Sequence, residues 1–154
     1  MNIFYLSDDL EENARFHVDR HCVKMILEQN QLLSSAHWLN NSEAPYKLTH
    51  KNHPCAIWAR TSLDNYIWLC HSTIALCKEY TYRYSKIHKG EDIANWHLNN
   101  LPNIPSLGIT ERPKCMDDEY KLETVIDSYR NYYKYGKAHL HLWKNREDPS
   151  WIKE

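Results

Sequence analysis

The stretch "HVDRHCVKMILE", residues 17–28, places six titratable side chains and a thiol among apolar residues. If the stretch and the residues directly after it are helical, at roughly 100° per residue, five polar residues from 17 to 31 fall on one narrow stripe. Apolar residues flank this stripe on both sides, whereas a freely solvated helix face is usually broader. The pattern therefore predicts that the helix forms one wall of a polar cleft. The stripe consists of His17, His21, Lys24, Glu28 and Gln31.

Amine and acid–base chemistry is what these residue types could support. Lys24, partly desolvated by its apolar neighbours, is predicted to act as an amine nucleophile. Glu28 and His21 are the predicted acid–base pair, with His17 as a second proton carrier. The α-amine of Met1 is the alternative nucleophile.

Two histidines four residues apart, His17 and His21, could instead be metal ligands. However, Lys24 would oppose a nearby cation, and the sequence contains no HExxH motif. We therefore predict no metal and no cofactor, with a metal-dependent hydrolase as an alternative interpretation. Its third ligand would have to be Glu28, His50 or His53.

A second titratable stripe is predicted downstream, at spacings of 4, 7, 7 and 4 residues. Two such helices could face each other across the polar cleft. Alternatively, the charges form structural ion-pair ladders, such as Arg60 with Asp64. Glu79 and Arg83 would be a second such pair, and exposed pairs of this kind contribute only a few tenths of a kcal/mol. The stripe consists of Arg60, Asp64, His71, Lys78 and Tyr82.

Basic and imidazole side chains also cluster in "THKNHP", residues 49–54, directly before the second helix. Backbone N–H groups at a helix N-terminus attract anions. We therefore expect His50, Lys51 and His53, together with Arg60, to contact nucleic acid.

Aromatic and basic residues alternate in the C-terminal segment "YRNYYKYGKAHLHLWKNREDPSW", residues 129–151. Such interleaving is typical of a surface that stacks bases and neutralises phosphates. The alternative is an aromatic helix that packs on the core and leaves its lysines in solvent. The predicted nucleic-acid contacts are Tyr129, Tyr132, Tyr133, Lys137, Trp143, Lys144 and Arg146.

Long apolar periodicity and only three glycines in 154 residues predict an all-α fold. We expect one compact domain, residues 1–154, of three main helices plus a short helix and an irregular Pro-rich crossing segment. The first helix should run from about Leu10 to His37 and the second from about Cys55 to Ser85. The short helix lies in 90–100, the crossing segment is 101–115, and the last helix begins near Asp117.

Composition excludes several classes of protein. A net charge of −1 argues against a protein that coats nucleic acid indiscriminately. Five cysteines without a CxxC motif favour reduced thiols packed in the core. No apolar run is long enough for a membrane span, and the acidic N-terminal segment lacks a signal-peptide pattern. We therefore expect a cytoplasmic protein, in the host cytoplasm if it is phage-encoded.

The motif "YYKYGKA", residues 132–138, resembles the aromatic tail of the phage pyrimidine-dimer DNA glycosylases of the endonuclease V family. The layout is also similar: a short N-terminal stretch, a titratable first helix and a long apolar second helix. That family uses the amine of a small N-terminal residue, exposed by methionine removal, and a glutamate on the first helix. Here Asn2 follows Met1, which is then usually retained. In register, Lys24 occupies the glutamate position, and Glu28 lies one turn later.

The resemblance implies a DNA-repair enzyme, a DNA glycosylase with lyase activity, that acts on a damaged or modified pyrimidine in DNA. DNA is accordingly the predicted partner, and the oligomeric state stays open. One alternative is a phage base-modification transferase that acts on modified pyrimidines in DNA. Another is a non-catalytic phage accessory module that binds nucleic acid, a nucleotide or a host protein.

Overall fold

The computed structural model describes all residues 1–154, and every regular element in it is helical, which confirms the predicted all-α fold. Short 3-10 or π turns complete the chain at Asp118–Tyr120, Tyr132–Gly136, Ala138–Leu140 and Ser150–Lys153. No helix is long and apolar enough to cross a membrane. The six α-helices are α1 (Leu10–Phe16), α2 (Asp19–Trp38), α3 (Pro54–Thr61), α4 (Leu63–Tyr84), α5 (Glu91–Asn99) and α6 (Val125–Asn131).

The predicted first helix is in fact two helices, because the backbone is extended at His17 and Val18. The imidazole Nδ1 of His17 lies 2.6 Å from the carbonyl oxygen of Asn13. The N–H of Val18 donates to the hydroxyl of Tyr133 at 3.3 Å. These side chains satisfy backbone groups that a continuous helix would have paired internally.

The predicted second helix is likewise broken, at Ser62, whose φ of −143° and ψ of 142° are extended. The Ser62 hydroxyl accepts a hydrogen bond from the N–H of Asp64 at 3.3 Å and so caps α4. The N–H of Leu63 donates to the carbonyl of Pro105, in the crossing segment, at 2.9 Å.

The predicted start of the last helix near Asp117 is wrong, since only a 3-10 turn forms there and α6 begins at Val125. The side chain of Thr124 caps α6 by accepting from the N–H of Asp127 at 3.0 Å. The short helix and the crossing segment are found where they were predicted.

A single hydrophobic core joins the N-terminal segment to the helices and to the C-terminal aromatic residues. Helix α4 lies at its centre and packs against α1, α2, α3 and α5. The extended segment 3–6 passes through this core, and Ile3, Tyr5 and Leu6 are completely buried. The core therefore fixes the path of the chain immediately after Met1.

Candidate active site

The α-amine of Met1 and the carboxylate of Glu28 form an ion pair, with the nitrogen 3.3 Å from Oε1. The two side chains are only 3% and 9% exposed. Met1 as a whole residue is half-buried, so most of its exposed area belongs to its main chain. A terminal amine thus lies against a buried carboxylate.

The second oxygen of Glu28, Oε2, is buried and has no hydrogen-bond partner. Lys24 Nζ is 3.8 Å from it, too far for a hydrogen bond, and the Lys24 side chain is 64% exposed. The expectation that Lys24 is desolvated is therefore wrong, because its side chain extends into solvent. Glu28 retains one oxygen that could accept a proton.

Asn2 holds the N-terminus in place. Its amide nitrogen donates to the carbonyl of Cys115 at 2.9 Å. Its amide oxygen accepts from the hydroxyl of Tyr129 at 3.0 Å and from the N–H of Ile3 at 2.8 Å. These contacts tie Met1 to the crossing segment and to α6.

His53 lies beside Met1 at the start of α3. Its Nδ1 accepts from the N–H of Cys55 at 3.0 Å, which caps the helix. Burial lowers the pKa of His53, and the positive charge of the terminal amine lowers it further, whereas hydrogen bonding to the Met1 backbone and the charge of Glu28 act in the opposite direction. The imidazole beside the amine is therefore less readily protonated than a free imidazole.

Two thiols complete the surroundings of Met1. The sulfurs of Cys55 and Cys115 are 3.7 Å apart. The hydrogen bond with Cys55 lowers the pKa of the Cys115 thiol to about 7, while the same contact raises that of Cys55. Sequence reasoning missed both residues because they lie 60 positions apart without a local motif.

The predicted proton carriers His17 and His21 are core residues, so that prediction is wrong. Burial lowers the pKa of His17 to about 4 and that of His21 to about 3. The His21 ring stacks on Phe4 at 4.3 Å, and its Nδ1 lies 2.7 Å from the hydroxyl of Tyr133. Neither imidazole forms a hydrogen bond with Met1 or Glu28.

The predicted polar cleft between the two long helices is also wrong. Glu28 faces Met1, whereas His71, Lys78 and Tyr82 line a cavity of about 350 Å³ that also includes residues of α1. The break at Ser62 separates Arg60 from the rest of its stripe. The two polar stripes therefore do not line one shared cleft.

The ion-pair ladder interpretation holds for one of its two pairs. Arg83 Nε donates to Glu79 Oε2 at 2.8 Å, and both side chains are buried. Arg60 instead donates to the carbonyl of Lys51 at 2.7 Å. Asp64 accepts from the hydroxyl of Ser106 at 2.6 Å.

Three of the aromatic residues predicted to contact nucleic acid are buried. Tyr129 and Tyr133 are fully enclosed, and the indole N–H of Trp143 donates to the carbonyl of Phe16 at 2.9 Å. They pack in the core, as in the alternative interpretation, and their prediction as base-stacking residues is wrong. Their polar groups suggested exposed side chains, but burying the large aromatic rings in the core is more favourable than leaving them in solvent.

The remaining predicted contacts divide between separate surfaces. Tyr132 is half-buried, with Lys137 Nζ 5.2 Å from its ring centre. Arg146 and Tyr82 both line the cavity of about 350 Å³, and Arg146 donates to Glu79 Oε1 at 3.0 Å. Lys144 is exposed, 5.1 Å from the ring of Tyr84.

The loop before α3 is the part of the predicted nucleic-acid surface that lies near Met1. His50 and Lys51 are exposed, and His50 is close enough for its charge to lower the pKa of His53. His50 has a φ of 50°, a left-handed backbone conformation. A contact of this loop with nucleic acid stays a prediction.

No protein-family model, curated protein or solved structure matches the chain. The resemblance to the endonuclease V family therefore stays an expectation. The assignment of the site depends on the residues and distances described above.

Proposed function

We propose that the protein is a DNA glycosylase and abasic-site lyase that acts on a damaged or modified pyrimidine in DNA. The α-amine of Met1 is the nucleophile and Glu28 is the acid–base group. The observation that carries this proposal is the α-amine of Met1 3.3 Å from the buried carboxylate of Glu28. An amine with an adjacent acid–base group is the usual requirement for Schiff-base catalysis.

At an abasic site, Glu28 takes a proton from the Met1 ammonium group, and the neutral amine adds to the C1′ aldehyde of the opened deoxyribose. Glu28 then gives the proton to the hydroxyl group of the resulting carbinolamine and is a carboxylate again. Loss of water then gives an iminium ion. Glu28 takes a proton from C2′, and the C3′–O bond breaks with release of the 3′ phosphate. Hydrolysis of the iminium regenerates the amine. On an intact nucleotide, the neutral amine attacks C1′ and the bond to the base breaks, with the base taking the proton held by Glu28. The amine nitrogen then passes a proton by way of Glu28 to O4′, and cleavage of the C1′–O4′ bond gives the same iminium ion.

Surface charges near the site are suited to holding DNA phosphates. Lys24 extends into solvent next to Glu28, and Lys51 and His50 are exposed on the loop before α3. Phosphate contacts of this kind position DNA without reading its sequence. The target nucleotide would have to leave the duplex to reach the amine.

Borohydride trapping on an oligonucleotide with a single abasic site tests the proposal. Wild-type protein should form a covalent adduct, and peptide mass spectrometry should locate it on Met1. Acetylation of the α-amine should abolish the adduct, because an amide nitrogen is not a nucleophile.

Lys24→Ala distinguishes the two candidate amines and should retain the adduct. Lys78→Ala, which removes an exposed lysine from a cavity that includes neither Met1 nor Glu28, is the matched control. An adduct on Lys24 would reject Met1 as nucleophile. The absence of both adduct and strand cleavage, with a folded protein that binds the same DNA, would favour the binding-module alternative.

A further inference from the structure

His53, Cys55 and Cys115 bring three metal-ligating side chains together from the start of α3 and from the crossing segment. The two sulfurs and the imidazole nitrogen all lie within 4.8 Å of one another. Cys55 is buried, and the other two residues are half-buried. The cluster is therefore closed on one side and accessible on the other.

The separation of the sulfurs matches a tetrahedral thiolate site. Zinc binds thiolate sulfur at about 2.3 Å, which places two sulfurs of a tetrahedron about 3.8 Å apart. Cys55 Sγ and Cys115 Sγ are 3.7 Å apart. The same geometry places imidazole nitrogen about 3.6 Å from each sulfur, so His53 would need to approach by no more than about an ångström.

The neighbouring charges permit a cation. The positive charge of the Met1 amine would oppose a metal ion, but the carboxylate of Glu28 lies 3.3 Å from that amine and compensates for it. Asn2 Oδ1, 3.7 Å from Cys55 Sγ, adds a neutral oxygen beside the cluster. Solvent can supply a fourth ligand from the half-buried side.

We propose that His53, Cys55 and Cys115 form a binding site for zinc or a similarly soft divalent cation. Sulfur and imidazole ligands select such ions over magnesium or calcium. Binding releases the thiol protons and replaces the present Cys55–Cys115 contact with two metal–sulfur bonds. The ion would link α3 to the crossing segment next to Asn2.

The site is independent of the proposed activity on DNA, and its test needs no substrate. Reduced wild-type protein, stripped with a chelator and reloaded with zinc, should retain about one ion per chain after gel filtration. Cobalt loaded in the same way should show thiolate-to-metal charge-transfer absorption.

Cys115→Ser should abolish zinc retention, and His53→Ala should weaken zinc binding at least tenfold, roughly the effect of losing a supporting group. Cys77→Ser is the matched control, because Cys77 is a buried cysteine outside the cluster. Circular dichroism would verify that each variant is folded.

Folded wild-type protein that retains no zinc after reduction would overturn the proposal. So would equal zinc retention by wild type and Cys115→Ser. A Cys55–Cys115 disulfide in protein purified without reductant, combined with no zinc uptake after reduction, would identify a thiol–disulfide pair instead.

Discussion

Acetylation of the α-amine and Glu28→Gln, made separately and together, test whether Met1 and Glu28 act as a unit. Acetylation removes the charge that faces Glu28 and leaves a carboxylate without its counter-ion. Glu28→Gln removes the opposite charge. We expect each single change to lower the free energy of unfolding and the double change to cost much less than their sum.

The magnitude follows from the distance and the burial. At 3.3 Å and an effective dielectric constant of about 20, the Coulomb attraction is about 5 kcal/mol. Desolvation of the buried carboxylate offsets part of it, and hydrogen bonds to charged groups contribute about 1.5–3 kcal/mol net. We therefore expect about 2–3 kcal/mol for each change and a coupling energy of about 2 kcal/mol. Lys24→Ala should cost less than about 1 kcal/mol, because that lysine is solvated.

Urea unfolding at pH 7, with intact mass spectrometry to verify the state of the N-terminus, measures all four forms. Equal m-values would show that the unfolded state is unchanged. Single effects that add to within about 0.5 kcal/mol would refute the ion pair as a functional unit. In that case the amine would be free of Glu28, and the proposed acid–base role of Glu28 would fail with it.

Three further predictions concern the core. Burial keeps His17, His21 and His97 neutral by lowering their pKa values from 6.5 to about 4, 3 and 3, respectively. Because they protonate mainly in the unfolded chain, stability should be complete above pH 6.5 and should fall toward pH 4, by up to about 4 kcal/mol per pH unit. Urea midpoints that do not change between pH 7 and 5 would contradict this. Arg83→Met should cost about 3 kcal/mol in the same assay, because it removes the buried guanidinium that donates to Glu79 at 2.8 Å and to Asp19 at 2.9 Å, while Arg146 still pairs with Glu79. A loss under about 1 kcal/mol would argue against these pairs. Gly90→Ala would place a Cβ 2.7 Å from Ile26 Cγ2 and should lower stability by about 1–3 kcal/mol, whereas an unchanged melting temperature would show that the helices shift freely.

The existence of helices was predictable from periodicity, but their breaks were not. Val18 leaves the helix where its N–H meets the hydroxyl of Tyr133, which lies 115 residues away. Ser62 breaks the second helix where the next residue pairs with Pro105. These partners belong to the tertiary structure, and no local pattern contains them.

The candidate site was predictable in its members more than in its arrangement. Glu28 and the Met1 amine were both identified from the sequence as groups capable of chemistry. Their pairing depends on the buried path of residues 3–6, which a helical wheel does not contain. The wheel also placed His21 beside Glu28, whereas in the fold His21 turns to Phe4 in the core.

The position of the amine is a consequence of the hydrophobic core. Holding each residue of a chain terminus in one conformation costs about 1–2 kcal/mol in backbone entropy. Burial of a large apolar side chain contributes about 1.5–3 kcal/mol, and Ile3, Tyr5 and Leu6 are all fully buried. This burial offsets the entropy of ordering the segment, and Asn2 then fixes Met1 through its hydrogen bonds to Cys115 and Tyr129. An N-terminal amine, ordinarily among the most mobile groups of a protein, is thereby held next to Glu28 before any substrate binds. Preorganisation of this kind would serve the proposed role of the amine as a nucleophile, because the entropy of positioning it is lost in folding and not in the reaction.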